Sequence, residues 1–149
     1  MAIEQPDIRN TDSPSGAFRR CRAESREQRS KTVLVVDDSP SIRHRLCEIC
    51  GAYDFEVCAE AANGLEAIQK ARQWNPELII LDLKMPVMGG LEAAPQLKKI
   101  LPDTRIILFT LFGENLSQAA LHNAGVTMVV SKSESLEALI KKARGLFHN

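Results

Sequence analysis

A chain of 149 residues with 44% apolar side chains is long enough to bury one complete core and short for two. Nineteen Lys plus Arg balance nineteen Asp plus Glu, which excludes a global field that would draw the protein onto nucleic acid or an anionic membrane. No apolar run approaches the roughly 18 residues of a membrane span, the N-terminus lacks the apolar stretch of a secretory signal, and four irregularly spaced cysteines (Cys21, Cys47, Cys50, Cys58) make no disulfide framework, so a cytoplasmic protein with reduced thiols is expected.

Residues 1–30 hold six Arg, five acidic residues and two Pro against very few large apolar groups, too little buriable surface to offset chain entropy. They read as a disordered tail with helical tendency over Ala17 to Gln28, and the cluster Arg19, Arg20 and Arg22 as solvated. From Lys31 the pattern changes to short apolar runs alternating with amphipathic segments, the mark of βαβ units and a parallel sheet. Thr32 to Val36 is a β-branched-rich strand ending in Asp37-Asp38. Ser39 caps the next helix with Pro40 at its first position, Ile42, Leu46 and Ile49 form its apolar stripe, and Gly51 is expected to stop it. Phe55 to Ala59 reads as the second strand, and Asn63 with Glu66 resembles a capping box opening a helix through Trp74, which Asn75-Pro76 ends. Leu78 to Leu81 is the third strand, ending at Asp82. Met85-Pro86 and Gly89-Gly90 mark a loop before a helix to about Ile100, in which Pro95 is expected near the first turn with a local kink. Arg105 to Phe109 is the fourth strand, ending at Thr110, and Glu114 to Ala124 a helix closed by Gly125. Thr127 to Val130 is the fifth strand, ending near Lys132. The last helix carries Glu134 and Glu137 early and Lys141, Lys142 and Arg144 late, matching its dipole. The count is five strands and five helices.

Asp37, Asp38, Asp82, Thr110 and Lys132 all fall at or just past C-terminal strand ends, where open α/β sheets bind ligands. If the first and third strands are neighbours, three carboxylates converge, and each close pair repels by roughly 4 kcal/mol at 4 Å with an effective dielectric near 20. Proton uptake or a hard divalent cation would relieve this, and Mg²⁺ suits one or two carboxylates plus waters and a phosphate oxygen. A carboxylate attacking a phosphoryl donor forms an acyl phosphate, whose transition state needs charge neutralised on three oxygens. Mg²⁺, the Lys132 ammonium, and the Thr110 hydroxyl with the Leu111 N–H would supply this.

The segments V-L-V-V-D-D-S-P (33–40), L-D-L-K-M-P-V-M-G-G-L-E (81–92), F-T (109–110) and V-V-S-K-S (129–133) together resemble a response-regulator receiver domain over roughly residues 31–147. The third-strand loop and S-K-S-E-S-L resemble receivers that precede a helix-turn-helix output module. The resemblance implies an α/β fold of the flavodoxin-like, doubly wound kind, a five-stranded parallel sheet in the order 2-1-3-4-5 flanked by five helices. It implies that Asp82 is phosphorylated by a sensor histidine kinase, a phosphotransfer protein or a small phosphodonor. Mg²⁺ would be held by Asp38 directly, by Asp37 largely through water, by Asp82, and by the Lys84 backbone carbonyl. Thr110 and Lys132 would swing toward the phosphoryl group and shift the face made by the fourth helix, fifth strand and fifth helix, which signals to a downstream protein partner. The domain division expected is a tail over 1–30 and a receiver over 31–149, acting as a stand-alone signalling module and not a turnover enzyme, with phosphorylation-dependent homodimerisation as a further expectation.

Two positions depart from the family pattern. Val129 stands where an aromatic residue usually precedes the lysine by three positions, and Leu111, followed by Phe112, stands where a small residue usually follows the threonine. The bulk of Leu111 and Phe112 leads to an expectation of slow autodephosphorylation, and Val129 to an expectation that the coupling of the threonine to an inward-turning aromatic is altered. Alternatives weighed were a constitutive protein-binding scaffold and an aspartyl-nucleophile phosphatase of the haloacid-dehalogenase type, which wants D-x-D where this chain has D-D-S. Cys47-x-x-Cys50 with His44 is not read as a metal or redox site, because the three spread around the helix and the pair sits at a helix end. Trp74 is expected to cover a domain edge, Met85, Met88 and Met128 to fill loop and core, and His122 and His148 to lie at the surface.

Overall fold

The computed structural model describes residues 30–111 and 115–148. The tail expected over residues 1–30 therefore lies, apart from Ser30, outside the described residues. In the unit that begins at Lys31, the elements run β1 (Lys31–Val36), α1 (Pro40–Ala52), β2 (Phe55–Ala61), α2 (Gly64–Trp74), β3 (Leu78–Leu81), α3 (Gly90–Ile100), β4 (Arg105–Thr110), α4 (Gln118–Ala124), β5 (Met128–Ser131) and α5 (Leu136–Gly145). The five strands form one parallel sheet in the order β2-β1-β3-β4-β5, as expected.

The apolar runs of β1, β3 and β4 are continuous because both faces of the sheet are covered, and side-chain alternation divides each run between two cores. Leu34, Val36, Ile79, Leu81, Ile106 and Leu108 meet Ala67, Ile68 and Ala71 of α2, Ala93, Ala94 and Leu97 of α3, and Leu121 and Ala124 of α4. Val33, Val35, Leu78, Ile80, Ile107 and Phe109 point the other way, against Leu46 and Cys50 of α1 and Leu139, Ile140 and Ala143 of α5. This is the doubly wound arrangement, and it puts every strand's C-terminus on one edge.

Several boundaries differ from expectation for local reasons. Gly51 does not stop α1. The helix continues to Ala52, the Tyr53 N–H returns to the Cys50 carbonyl, and the chain turns at Asp54 with φ 69°. The Asn63 side chain accepts from the Glu66 N–H at 2.9 Å, but Glu66 accepts from the Ala62 N–H at 2.8 Å, so the capping box closes one residue early. Pro95 sits inside α3 as the sixth of eleven residues, not in the first turn. The fourth helix begins only at Gln118, where the Ser117 hydroxyl accepts from the Ala120 N–H; Glu114, its expected start, lies outside the described residues. Asn75 ends α2 as expected, in the left-handed region at φ 48°. Glu134 precedes the α5 cap, Ser135, and bonds Lys142 at 2.9 Å.

Candidate functional site

Three strand ends meet at the switch point of the sheet. Val36 is in register with Leu81, and Leu81 with Leu108, so the residues that leave β1, β3 and β4 emerge side by side. Asp37 follows β1 at 1% exposure and Asp82 follows β3 at 6%, and the Asp82 N–H donates to the Val36 carbonyl at 2.9 Å. Asp38 is exposed at the rim. One oxygen from each of Asp37, Asp38 and Asp82 lies within 4.8 Å of the others. Thr110, buried, ends β4, and the Lys132 N–H donates to its carbonyl at 3.0 Å, which fixes where Lys132 leaves β5. The five residues singled out at strand ends are therefore brought together. Lys84, exposed, follows Asp82 by two residues in the loop that closes the site.

Charge explains the arrangement of the side chains. The Lys132 ammonium lies 2.8 Å from Asp37 Oδ2 and 3.2 Å from Asp82 Oδ1, with the Phe109 ring centroid at 5.9 Å. Burial works against the Lys132 charge, yet the hydrogen bond to Asp37 and the charge of Asp82 outweigh it, and its pKa is raised. One cation does not balance three carboxylates. Burial first, and the Asp37 charge second, push the Asp82 carboxyl up to about 6, although Lys132 and the Leu83 N–H at 2.8 Å oppose the shift. An all-oxygen donor set with unbalanced negative charge fits a hard divalent cation such as Mg²⁺. The ordinary alternative is a solvated acidic strand end, but Asp37 and Asp82 are buried.

Sequence reasoning missed how Asp37 is held. The Ser39 N–H donates to its Oδ1 at 2.9 Å, and Arg43 Nη1 donates to its backbone carbonyl at 2.7 Å while Nε pairs with Glu60 at 3.1 Å. The available signal was Arg43 one turn into α1 with an acidic residue on β2. Cys47 completes this group by donating to Glu60 at 3.4 Å, and burial pushes its thiol up to about 12. Cys50 is buried with its thiol also near 12, and His44 is exposed beside Glu48, so the three form no ligand set. Trp74, Met85, Met88 and Met128 are partly buried, and His122 and His148 are exposed, as expected. Leu111, whose bulk underlies the expectation of slow autodephosphorylation, is 58% exposed; Phe112 lies outside the described residues. Val129 is half-buried and lines an open cavity of about 510 Å³ between α4 and β5, with Leu116, Leu121, His122 and Met128, away from the carboxylates.

The chain has extensive relatives. A sequence profile of the response regulator receiver domain matches residues 33–144. The chain is 33% identical over 118 residues to the chemotaxis protein CheY of Thermotoga maritima, covering 76% of this chain and 98% of that protein. It is 37% identical over 118 residues to the response regulator protein VraR of Staphylococcus aureus, covering 76% of this chain and 56% of VraR, so it spans only about half of that relative. Among solved structures it is similar to the response regulator protein TrrA of Thermotoga maritima in complex with Mg(2+)-BeF, with TM-score 0.70, 36% identity, and coverage of 78% and 98% of the two chains.

Proposed function

Because this chain belongs to the response regulator receiver domain family, a family of two-component signalling modules, we propose that it is a phosphoacceptor switch whose acceptor is Asp82 and whose working unit is residues 31–149. The observation that carries the reading is the meeting of Asp37, Asp38 and Asp82 within 4.8 Å, with Lys132 bridging the two buried carboxylates. With its pKa raised only to about 6, Asp82 is ionised at neutral pH and available as a nucleophile. An Asp82 oxygen attacks the phosphorus of a phosphohistidine or of a small phosphodonor. The P–N or P–O bond to the leaving group breaks, its electron pair stays with the leaving group, and solvent supplies the proton. Lys132 shifts from its carboxylate partners to the transferred group, and the Thr110 hydroxyl with the Leu111 N–H donates to another oxygen.

Receiver domains bind Mg²⁺ at an acidic Asp cluster, and this cluster fits that ion. Asp37, Asp38, Asp82 and the Lys84 carbonyl would hold it, and when bound it supplies neutralising charge to the phosphoryl oxygens. The Mg(2+)-BeF complex of TrrA supports this reading. Receiver domains interact with histidine kinases, phosphotransfer proteins or downstream partners. Here the donor is a histidine kinase or phosphotransfer protein, and the output is a shift of the α4, β5 and α5 face toward a protein partner or a second copy. No described helix is long and apolar enough to cross a membrane. The family membership sets aside the phosphatase alternative.

Incubation with Mg²⁺ and acetyl phosphate or phosphoramidate tests the proposal. The expected product is a hydroxylamine-labile adduct that EDTA or Asp82→Asn abolishes. A folded protein that takes up no phosphoryl group from any donor would leave the constitutive scaffold instead.

A further inference from the structure

The loop from Asp82 to α3 contains a strained turn. Val87 has φ 71°, and the Met88 N–H donates to the Pro86 carbonyl at 2.7 Å, so Pro86, Val87 and Met88 close a γ-turn with a β-branched residue on the left-handed side. Such a turn persists only where its surroundings over-determine it. The Val87 side chain is 75% exposed, so side-chain packing does not supply the restraint.

Backbone contacts do. The Gly90 N–H donates to the Leu83 carbonyl at 2.8 Å and closes the base of the loop, where a Cβ on Gly90 would lie 2.2 Å from the Asp82 carbonyl oxygen. The crown is held from α2: the Gly64 N–H, one of the donors a helix start leaves without an intrahelical partner, donates to the Met88 carbonyl at 2.8 Å. A Cβ on Gly64 would lie 2.8 Å from the Met88 oxygen, 2.8 Å from Met88 Cγ and 2.9 Å from the Ala93 Cβ. Met88 can swing its side chain aside, but its carbonyl and the Ala93 methyl cannot. Glycine is needed at position 64 for close approach.

We infer that Gly64 is a positioning residue for the Mg²⁺ site: its N–H and bare Cα seat the Met88 carbonyl on α2, hold the Val87 turn, and so fix the Leu83–Lys84 backbone beside Asp82. The inference rests on the reading of Asp37, Asp38, Asp82 and the Lys84 carbonyl as a metal site. It is tested by titrating Mg²⁺ into the unphosphorylated full chain in a calorimeter. Gly64→Ala is expected to weaken binding roughly tenfold, the scale of lost outer-sphere support, while Ile140→Val, a core truncation on the opposite face of the sheet, leaves the affinity within about twofold. Equal affinity in wild type and Gly64→Ala overturns the inference. Absence of Mg²⁺ binding by the wild type instead overturns the site reading beneath it. If Gly64→Ala does not fold, amide exchange in the wild type decides: the Gly64 amide is expected to exchange at least about tenfold more slowly than that of Leu65, and more slowly still with Mg²⁺. Equal rates that ignore Mg²⁺ overturn the inference.

Discussion

Asp82 couples the chemistry of the site to the stability of the domain. Its carboxyl titrates near 3.8 when unfolded and near 6 when folded, so the folded state holds the proton more tightly. The contribution of Asp82 to the stability of the metal-free domain is therefore most favourable below about pH 4, falls as pH rises to about 6, and is level above that. Asp82→Asn removes the penalty. Without divalent ions it is expected to stabilise the domain by about 1–2 kcal/mol at pH 7.5, less than the full shift because solvent reaches the site, with no gain near pH 3.5; urea denaturation at the two pH values measures both. Lys132 acts in the opposite sense. Lys132→Met leaves Asp37 and Asp82 with no bridging cation, and a loss of about 2–4 kcal/mol at pH 7.5 is expected, partly recovered by Mg²⁺ in the same denaturation experiment. That Lys132 bonds both carboxylates was not legible in the sequence, because the two contacts depend on how far β5 stands from β1, across β3 and β4.

At the scale of elements, β3 and the ends of α2, α3 and α4 match the sequence expectation, while β2 runs two residues past its expected end, β5 is shifted by one, and α4 starts later than expected. Leu78–Leu81 is legible to the residue, since a run buried on both faces stops where the first acidic residue appears. Helix boundaries instead follow single hydrogen bonds. The Ser117 hydroxyl starts α4 at Gln118, and a Cβ on Gly51 would meet nothing within 4 Å, so that glycine sits in open space and breaks nothing. Pro95 is the clearest misreading. As the sixth residue of α3, and exposed, it withholds a donor from the Leu91 carbonyl inside an otherwise regular helix. Pro95→Ala is expected to raise stability by about 1–3 kcal/mol, visible as a higher denaturation midpoint with unchanged slope. Asn75, at φ 48°, behaves in the reverse way: Asn75→Ala is expected to cost about 1 kcal/mol in the same assay, whereas Asn75→Gly is neutral.

In the whole molecule, the edge of the sheet opposite the carboxylates is closed by a residue beyond the last helix. Phe147 meets Phe55 edge-to-face at 6.2 Å, with the Arg105 guanidinium 4.6 Å and the Lys31 ammonium 5.4 Å from its ring centroid, tying the chain after α5 to the starts of β1, β2 and β4. Phe147→Ala is expected to lower stability by about 1–3 kcal/mol while leaving phosphorylation of Asp82 intact, as thermal melts and adduct formation would record. Nothing local marked Phe147 for that role. By itself the sequence determined the alternation of strands and helices, the two-sided burial of the sheet, and the acidic, hydroxyl and ammonium residues at strand ends, because these follow from periodicity and chemistry along the chain. Only the tertiary structure decided that Lys132 bridges Asp37 and Asp82, that Arg43 braces Asp37, and that Gly64 seats the Met88 carbonyl. The Lys132 and Gly64 contacts join segments distant in sequence. Arg43, though only six residues from Asp37, is aimed by its pairing with Glu60 of β2, so all three depend on how the strands stand side by side and how the helices pack on them.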